Sequence, residues 1–170
     1  MGEVDSKKRK LVVFYSLEGN TKFVAREIAA TIEADLLELK PKKDLNTKGF
    51  MKYFWGGRQV VTKAKPALES FTVNPEDYDV IFIGTPIWAG NYTPALATFF
   101  STVNLKQKSI ALFCCHRGMN LGALDKMEAK LAGNEIIGKI DFIDPLKRNP
   151  KANRDRIRAW AREVMEKVES

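Results

Sequence analysis

The chain has 170 residues, of which 45% are hydrophobic and 29% charged. That balance excludes a fibrous or disordered protein, and the length suits one domain, which we place over residues 1–170 with residues 1–9 as a flexible basic N-terminus. The net charge of +7 favours anionic partners or cofactors. We find no nucleic-acid-binding motif, no membrane-spanning apolar run and no secretory signal in the sequence. We therefore expect a cytoplasmic protein that binds neither nucleic acids nor membranes.

The first predicted unit is a strand, a polar turn and a helix. The apolar run begins at Lys10 and reads KLVVF, too short to cross a membrane. After the turn, apolar residues recur at helical spacing at Val24, Ile28 and Ile32. We expect this helix to end near Ala34.

The turn itself is suited to binding phosphate. It consists of Ser16, Leu17, Glu18, Gly19, Asn20 and Thr21. The start of a helix presents backbone N–H groups and a positive dipole end. Ser16, Asn20 and Thr21 add side-chain donors, and Gly19 allows close backbone approach or a positive φ. A plain helix N-cap at Asn20 or Thr21 is the alternative, and it is compatible with phosphate binding.

Residues 35–40 predict a second short strand that Pro41 stops. Residues 48–62, KGFMKYFWGGRQVVT, are aromatic and basic. They are either the crossover helix that a parallel sheet requires, or a lid or partner surface, since so many large apolar side chains exceed one buried face.

The rest of the chain alternates strands with helices. Strands are predicted at residues 80–84, 110–115 and 134–142, the last being polar enough for a sheet edge. Apolar spacing predicts helices around residues 94–103, 124–131 and 157–168. Five strands alternating with helices give a parallel sheet covered on both faces.

Three polar loops follow the first, third and fourth strands, at residues 16–21, 85–94 and 116–120. Because parallel strands end at the same edge of the sheet, these loops can converge on one ligand. The first loop is neither a Walker A motif nor a G-x-G-x-x-G dinucleotide turn, so nucleotide hydrolysis is not indicated.

These loops resemble those of flavodoxins and flavodoxin-like proteins, which bind FMN. Residues 15–21, YSLEGNT, are similar to the family's Ser/Thr-x-Thr-Gly-x-Thr phosphate loop, and residues 84–94, GTPIWAGNYTP, carry a Gly-Thr-Pro-x-Trp loop. The resemblance implies a doubly wound five-stranded sheet of order 2-1-3-4-5 and FMN as cofactor. Glu18 departs from the pattern, which usually has a hydroxyl there, so its carboxylate either points to solvent or leaves the loop one donor short.

By the same resemblance, the second and third loops enclose the isoalloxazine ring. The second loop contributes Pro86, Ile87, Trp88, Ala89, Gly90, Asn91 and Tyr92. We expect Trp88 to stack on the flavin with help from Tyr92, although Trp88 could instead cover the edge of the core. The resemblance also implies that a peptide on one side of Gly90 flips toward the reduced flavin.

The third loop contributes Cys115, Arg117 and Gly118 to this expected site. We expect Cys114 to face the core and Cys115 to reach the ligand. Adjacent cysteines with His116 match no zinc spacing, and we assign no metal. Arg117 either stabilises negative charge at the pyrimidine end of the flavin or is a solvated loop charge.

Three functions follow from these expectations. The first is an FMN-binding electron carrier that exchanges electrons with redox partner proteins. The second is an FMN-dependent NAD(P)H oxidoreductase that uses a quinone or similar acceptor; the charge of +7 departs from the acidic surface usual among flavodoxin carriers. The third is a flavin-free phosphate-binding module. No catalytic residue is assigned.

Overall fold

The computed structural model describes residues 7–42 and 65–170. Its strands are β1 (Lys10–Phe14), β2 (Asp35–Glu38), β3 (Val80–Pro86), β4 (Ser109–His116) and β5 (Glu135–Ile143). Its α-helices are α1 (Asn20–Ile32), α2 (Pro94–Thr102), α3 (Ala123–Glu128) and α4 (Pro150–Glu169), with a short 3-10 helix at Pro75–Asp77. The two interpretations of residues 48–62, and most of the predicted N-terminal tail, lie outside the described residues.

The five strands form one sheet of order β2-β1-β3-β4-β5, and every neighbouring pair is parallel. The predicted fold and strand order are therefore confirmed. The polar strand β5 lies at an edge, as expected from its alternating exposure. This order places β1 and β3 side by side at the centre, so the loops that follow them are neighbours at the carboxyl edge.

The core lies on both faces of the sheet, because alternate residues of each strand point to opposite sides. On one face, Val12 and Phe14 of β1 pack in a cluster with apolar residues of α1 and α4. On the other face, Leu11 and Val13 pack in a cluster with residues of α2 and α3. We call these two clusters the α1/α4 core and the α2/α3 core. No described helix is long and apolar enough to cross a bilayer.

Gly84 of β3 is required by the packing of its neighbour. It pairs in register with Phe113 of β4, whose side chain is fully buried. A Cβ atom at Gly84 would lie 2.0 Å from Cζ of Phe113, far inside van der Waals contact. The aromatic ring therefore occupies the space that any other residue at position 84 would fill.

Several element boundaries differ from the sequence prediction: β2 ends at Glu38, two residues early, and α4 begins at Pro150, seven residues early. Strand β3 continues to Pro86 and β4 to His116, because Pro86 pairs with Cys115 and His116 with Ile143. Helix α3 ends at Glu128, although its apolar spacing runs to Leu131. The chain there tightens into i to i−3 hydrogen bonds, such as that from Leu131 N to Glu128 O at 2.9 Å.

Candidate functional site

The turn between β1 and α1 is built around Gly19. This residue is the helix N-cap in the left-handed region, at φ 94°, and its N–H donates to Ser16 Oγ at 3.2 Å. The first intrahelical bond runs from Phe23 N to Gly19 O. The preceding N–H groups in the first turn therefore have no intrahelical acceptor and are available to an anion. Helix α1 starts at Asn20, but the N-cap residue is Gly19 and not Asn20 or Thr21, the cap offered by the alternative interpretation.

Thr21, in the first turn of α1, is buried to 1% exposure. Its hydroxyl oxygen makes no hydrogen bond stronger than its contact with the Cys115 thiol in the part of the chain that the structure describes. A buried hydroxyl satisfied so weakly costs up to about 1 to 3 kcal/mol, so native proteins rarely retain one without a reason. A ligand bound at the turn would supply a stronger partner.

Asn20 connects the turn to the loop that follows β5. Its Nδ2 donates to Asp144 Oδ1 at 3.3 Å, and its Oδ1 accepts from Leu146 N at 3.1 Å. The Leu146 side chain lies 3.4 Å from where a Cβ of Gly19 would stand. Sequence reasoning did not include this loop in the site, although a polar Asp144 just beyond a strand end follows the same pattern as the other three loops.

Glu18 and Arg117 form an ion pair across two loops. Glu18 Oε2 lies 2.5 Å from Arg117 Nη2, and Arg117 Nε lies 3.6 Å from Asp144 Oδ1. The side chains of the pair are 56% and 60% exposed. At position 18 the turn therefore has a carboxylate paired with a guanidinium, where the flavodoxin pattern usually has a hydroxyl.

The loop after β3 ends in a two-residue hairpin turn. The N–H of Trp88 donates to Asn91 O at 2.9 Å, and the N–H of Asn91 donates to Trp88 O at 3.0 Å. Ala89 and Gly90 between them have φ values of 50° and 73°, as in a type I′ turn. A positive φ is uncommon for alanine, so the backbone is strained at a loop facing the ligand edge.

Lys126 of α3 fixes one peptide of this turn. Its Nζ donates to Gly90 O at 2.6 Å. A Cβ at Gly90 would lie 3.0 Å from Cδ1 of Leu121, so the third loop closes on the turn from the other side. Of the two peptides beside Gly90, the one that joins Gly90 to Asn91 is therefore tethered through its carbonyl.

The aromatic side chains of the second loop rest on the α2/α3 core. Trp88 is half-buried and packs edge-to-face on Tyr15, with ring centroids 5.6 Å apart. Tyr92 packs in the same way on Phe100 at 5.4 Å. Burial raises the pKa of Tyr15 to about 12, so this phenol stays neutral. Trp88 covers the edge of the core and retains an exposed part of its side chain.

The structure corrects the expectation for Cys115. Its side chain is 3% exposed and lies in the α1/α4 core, while Cys114 lies in the α2/α3 core. Burial raises the pKa of both thiols, that of Cys115 to about 12. Cys115 is therefore part of the packing beneath the site and not of its surface. His116 is also buried, and its Nε2 lies 2.7 Å from Asp141 Oδ2.

A family model described as flavodoxin matches residues 9–164, nearly the whole chain. The chain belongs to the flavodoxin family. The comparison with curated proteins finds no match.

Solved structures share the fold of this flavodoxin. A flavoprotein from Bacteroides uniformis has a TM-score of 0.76 at 21% identity, covering 91% of this chain and 98% of its own. One from Bacteroides eggerthii has a TM-score of 0.74 at 24% identity, covering 94% and 99%. A flavoprotein in complex with FMN from Lactobacillus acidophilus has a TM-score of 0.63 at 21% identity, covering 85% and 99%.

The flavodoxin site has an apolar rim that sequence reasoning missed. Met119 and Leu121 in the third loop are 73% and 59% exposed, and Leu146 after β5 is 40% exposed. Leu121 lies against Gly90 and Leu146 lies against Gly19. The rim therefore contacts both the hairpin turn at residues 88–91 and the turn between β1 and α1. Gly118, also in the third loop, has open space around it. Two large apolar residues in a polar, glycine-flanked loop just past a strand end are the signal that could have identified Met119 and Leu121.

Proposed function

We propose that this flavodoxin binds FMN and that the phosphate lies at the turn between β1 and α1. The observation that carries the proposal is the first turn of α1, where backbone N–H groups without an intrahelical acceptor lie beside the buried hydroxyl of Thr21, whose contact among the described residues is with the weakly hydrogen-bonding Cys115 thiol. Ser16 and Gly19 shape the turn around that position. Asn20 would contribute its backbone N–H, because its side chain is engaged by the loop after β5.

The function that this site supports best is electron transfer. Bound FMN would supply the redox chemistry, and the chain would bind it, shield it and tune it. In the described loops Glu18 is ion-paired with Arg117, His116 is buried against Asp141 and both thiols stay neutral, so none of these groups is placed as a free acid or base. This arrangement favours a carrier between redox partners over an enzyme with its own acid–base chemistry.

One observation favours a second candidate, an FMN-dependent NAD(P)H oxidoreductase with a quinone or similar acceptor. The net charge of +7 attracts an anionic nucleotide such as NAD(P)H. It would repel the basic partner proteins on which acidic flavodoxin carriers dock. Steady-state oxidation of NADH and NADPH with a quinone acceptor separates the two functions. A rate no higher than that of free FMN would exclude the oxidoreductase.

We expect the purified protein to be yellow, or its apoprotein to take up added FMN with the absorbance changes of a bound flavin. The phosphate turn predicts stronger binding of FMN than of riboflavin, which has the same ring without the phosphate. Titration of the apoprotein with both flavins, followed by flavin fluorescence, measures this preference. A colourless protein that takes up neither flavin would contradict the proposal.

Replacing Trp88 with alanine is expected to weaken FMN binding by about tenfold and to raise the midpoint potential of the bound flavin. Stacked aromatic rings in a dry pocket disfavour the anionic reduced form more than the oxidised form, so their removal relieves that penalty. Trp88→Phe, which keeps an aromatic ring, is the matched control. If the midpoint potential and the FMN affinity are both unchanged in Trp88→Ala, the Trp88 ring only packs on the core and does not contact the flavin.

A further inference from the structure

We propose that Arg117 is a ligand of the FMN phosphate and that Glu18 is its internal competitor. The Glu18 carboxylate holds the guanidinium in the ligand-free protein and yields it when phosphate binds. This inference rests on the proposed function, because it concerns the same phosphate turn. It gives a role to the one residue of that turn that departs from the family pattern.

The geometry places Arg117 at the turn from two directions. Its Nη2 contacts the carboxylate of Glu18, the residue that precedes the N-cap Gly19. Its Nε lies 3.6 Å from Asp144, whose carboxylate accepts from the side chain of Asn20. The guanidinium therefore lies between the carboxylates of Glu18 and Asp144, and Asp144 in turn binds Asn20.

The local charges explain why an arginine is needed there. Glu18 and Asp144 bring two carboxylates to a turn that would receive a phosphate of nearly two negative charges. Like charges this close disfavour binding, and Arg117 is the cation that contacts both. Its planar fork of donors fits a phosphate as well as it fits a carboxylate.

Exchange of partners is energetically accessible because the pair is exposed. Ion pairs with side chains more than half exposed contribute little to stability, so opening this one costs little. The phosphate carries more charge than the carboxylate it replaces, which favours the exchange. A second observation points to a ligand at the same turn, since Thr21 is 1% exposed and its hydroxyl makes no hydrogen bond stronger than its contact with the Cys115 thiol among the described residues.

The test measures FMN, riboflavin and inorganic phosphate binding to the apoprotein and to two variants. Glu18→Gln removes the competitor and is expected to tighten FMN binding about fivefold, whereas Arg117→Gln removes the ligand and should weaken it about tenfold. Riboflavin affinity should change in neither variant. Glu33→Gln is the matched control, because it also removes one negative charge from an exposed ion pair, that with Lys7.

If FMN affinity rises in Glu18→Gln and falls in Arg117→Gln, Glu18 competes with the phosphate for Arg117 and does not merely hold the two loops together. If the pair only holds the loops together, both substitutions break the clamp and both weaken FMN and riboflavin alike, which would overturn the inference. Equal phosphate affinity in all the proteins would also overturn it. If the unmodified protein fails to bind either flavin, the proposed function fails, but the phosphate titrations still decide whether Glu18 and an anion compete for Arg117.

Discussion

Replacing Gly84 with alanine is expected to lower the free energy of unfolding by about 3 kcal/mol and the melting temperature by roughly 6 to 12 °C. The added methyl group would lie 2.0 Å from Cζ of Phe113 and 2.1 Å from its Cε2. The ring is completely buried between the sheet and the α1/α4 core, so it cannot move aside without displacing its neighbours. Chemical denaturation followed by circular dichroism measures the loss.

Two further variants test this explanation. Gly118→Ala adds the same methyl group where no atom of the described residues, apart from the two chain neighbours, lies within 4 Å, and its stability should stay within about 0.5 kcal/mol of the original protein. Adding Phe113→Leu to Gly84→Ala should recover part of the lost free energy of unfolding, because the shorter leucine side chain leaves room for the methyl group at position 84. A Gly84→Ala protein as stable as the original would contradict the packing described for β3 and β4.

Replacing Thr21 with valine is expected to move stability and ligand affinity in opposite directions. Valine has nearly the same shape, so the substitution removes a buried hydroxyl that makes only a weak contact with the Cys115 thiol among the described residues, and it should stabilise the apoprotein by about 1 kcal/mol. If that hydroxyl donates to the FMN phosphate, its loss should weaken FMN binding by about 10- to 100-fold. Thermal unfolding of the apoprotein and FMN titration measure the two effects.

Thr21→Ser is the matched control, because it keeps the hydroxyl and removes only the methyl group. It should lose some stability by leaving a small cavity while FMN affinity changes little. The role assigned to Thr21 would be wrong if valine left FMN affinity unchanged, or if serine weakened FMN binding as much as valine did.

Strong local patterns in the sequence were sufficient for the elements and for a parallel sheet, whereas the strand order came from the resemblance to flavodoxins. The apolar run of β3, the helical stripe of α4 and the polar edge strand β5 each follow from hydrophobic spacing alone. The carboxyl-edge rule then brings residues 16–21 and 85–94 together. The Trp88 turn has Gly90 at a positive φ, as a glycine in a tight loop suggests.

The connections between loops were beyond sequence reasoning. Glu18 and Arg117 are 99 residues apart, and Asn20 and Leu146 are 126 apart, so no local pattern marks either pair. The same limit explains why Asn20 is not the N-cap residue. Its side chain is suited to an N-cap, but its amide group is hydrogen-bonded to Asp144 and Leu146 in the loop after β5. For Cys115, position at a strand end does not reveal which face of the sheet receives the side chain.

The hydrogen bond from Leu146 to Asn20 also orders events in time. The turn that begins at residue 16 is synthesised well before residues 144–146, yet one wall of it comes from those residues, which follow β5. An emerging chain can form β1 and α1 early, but it lacks Leu146 and Asp144 until β5 is complete. The turn therefore reaches its full set of contacts only after the edge strand has docked.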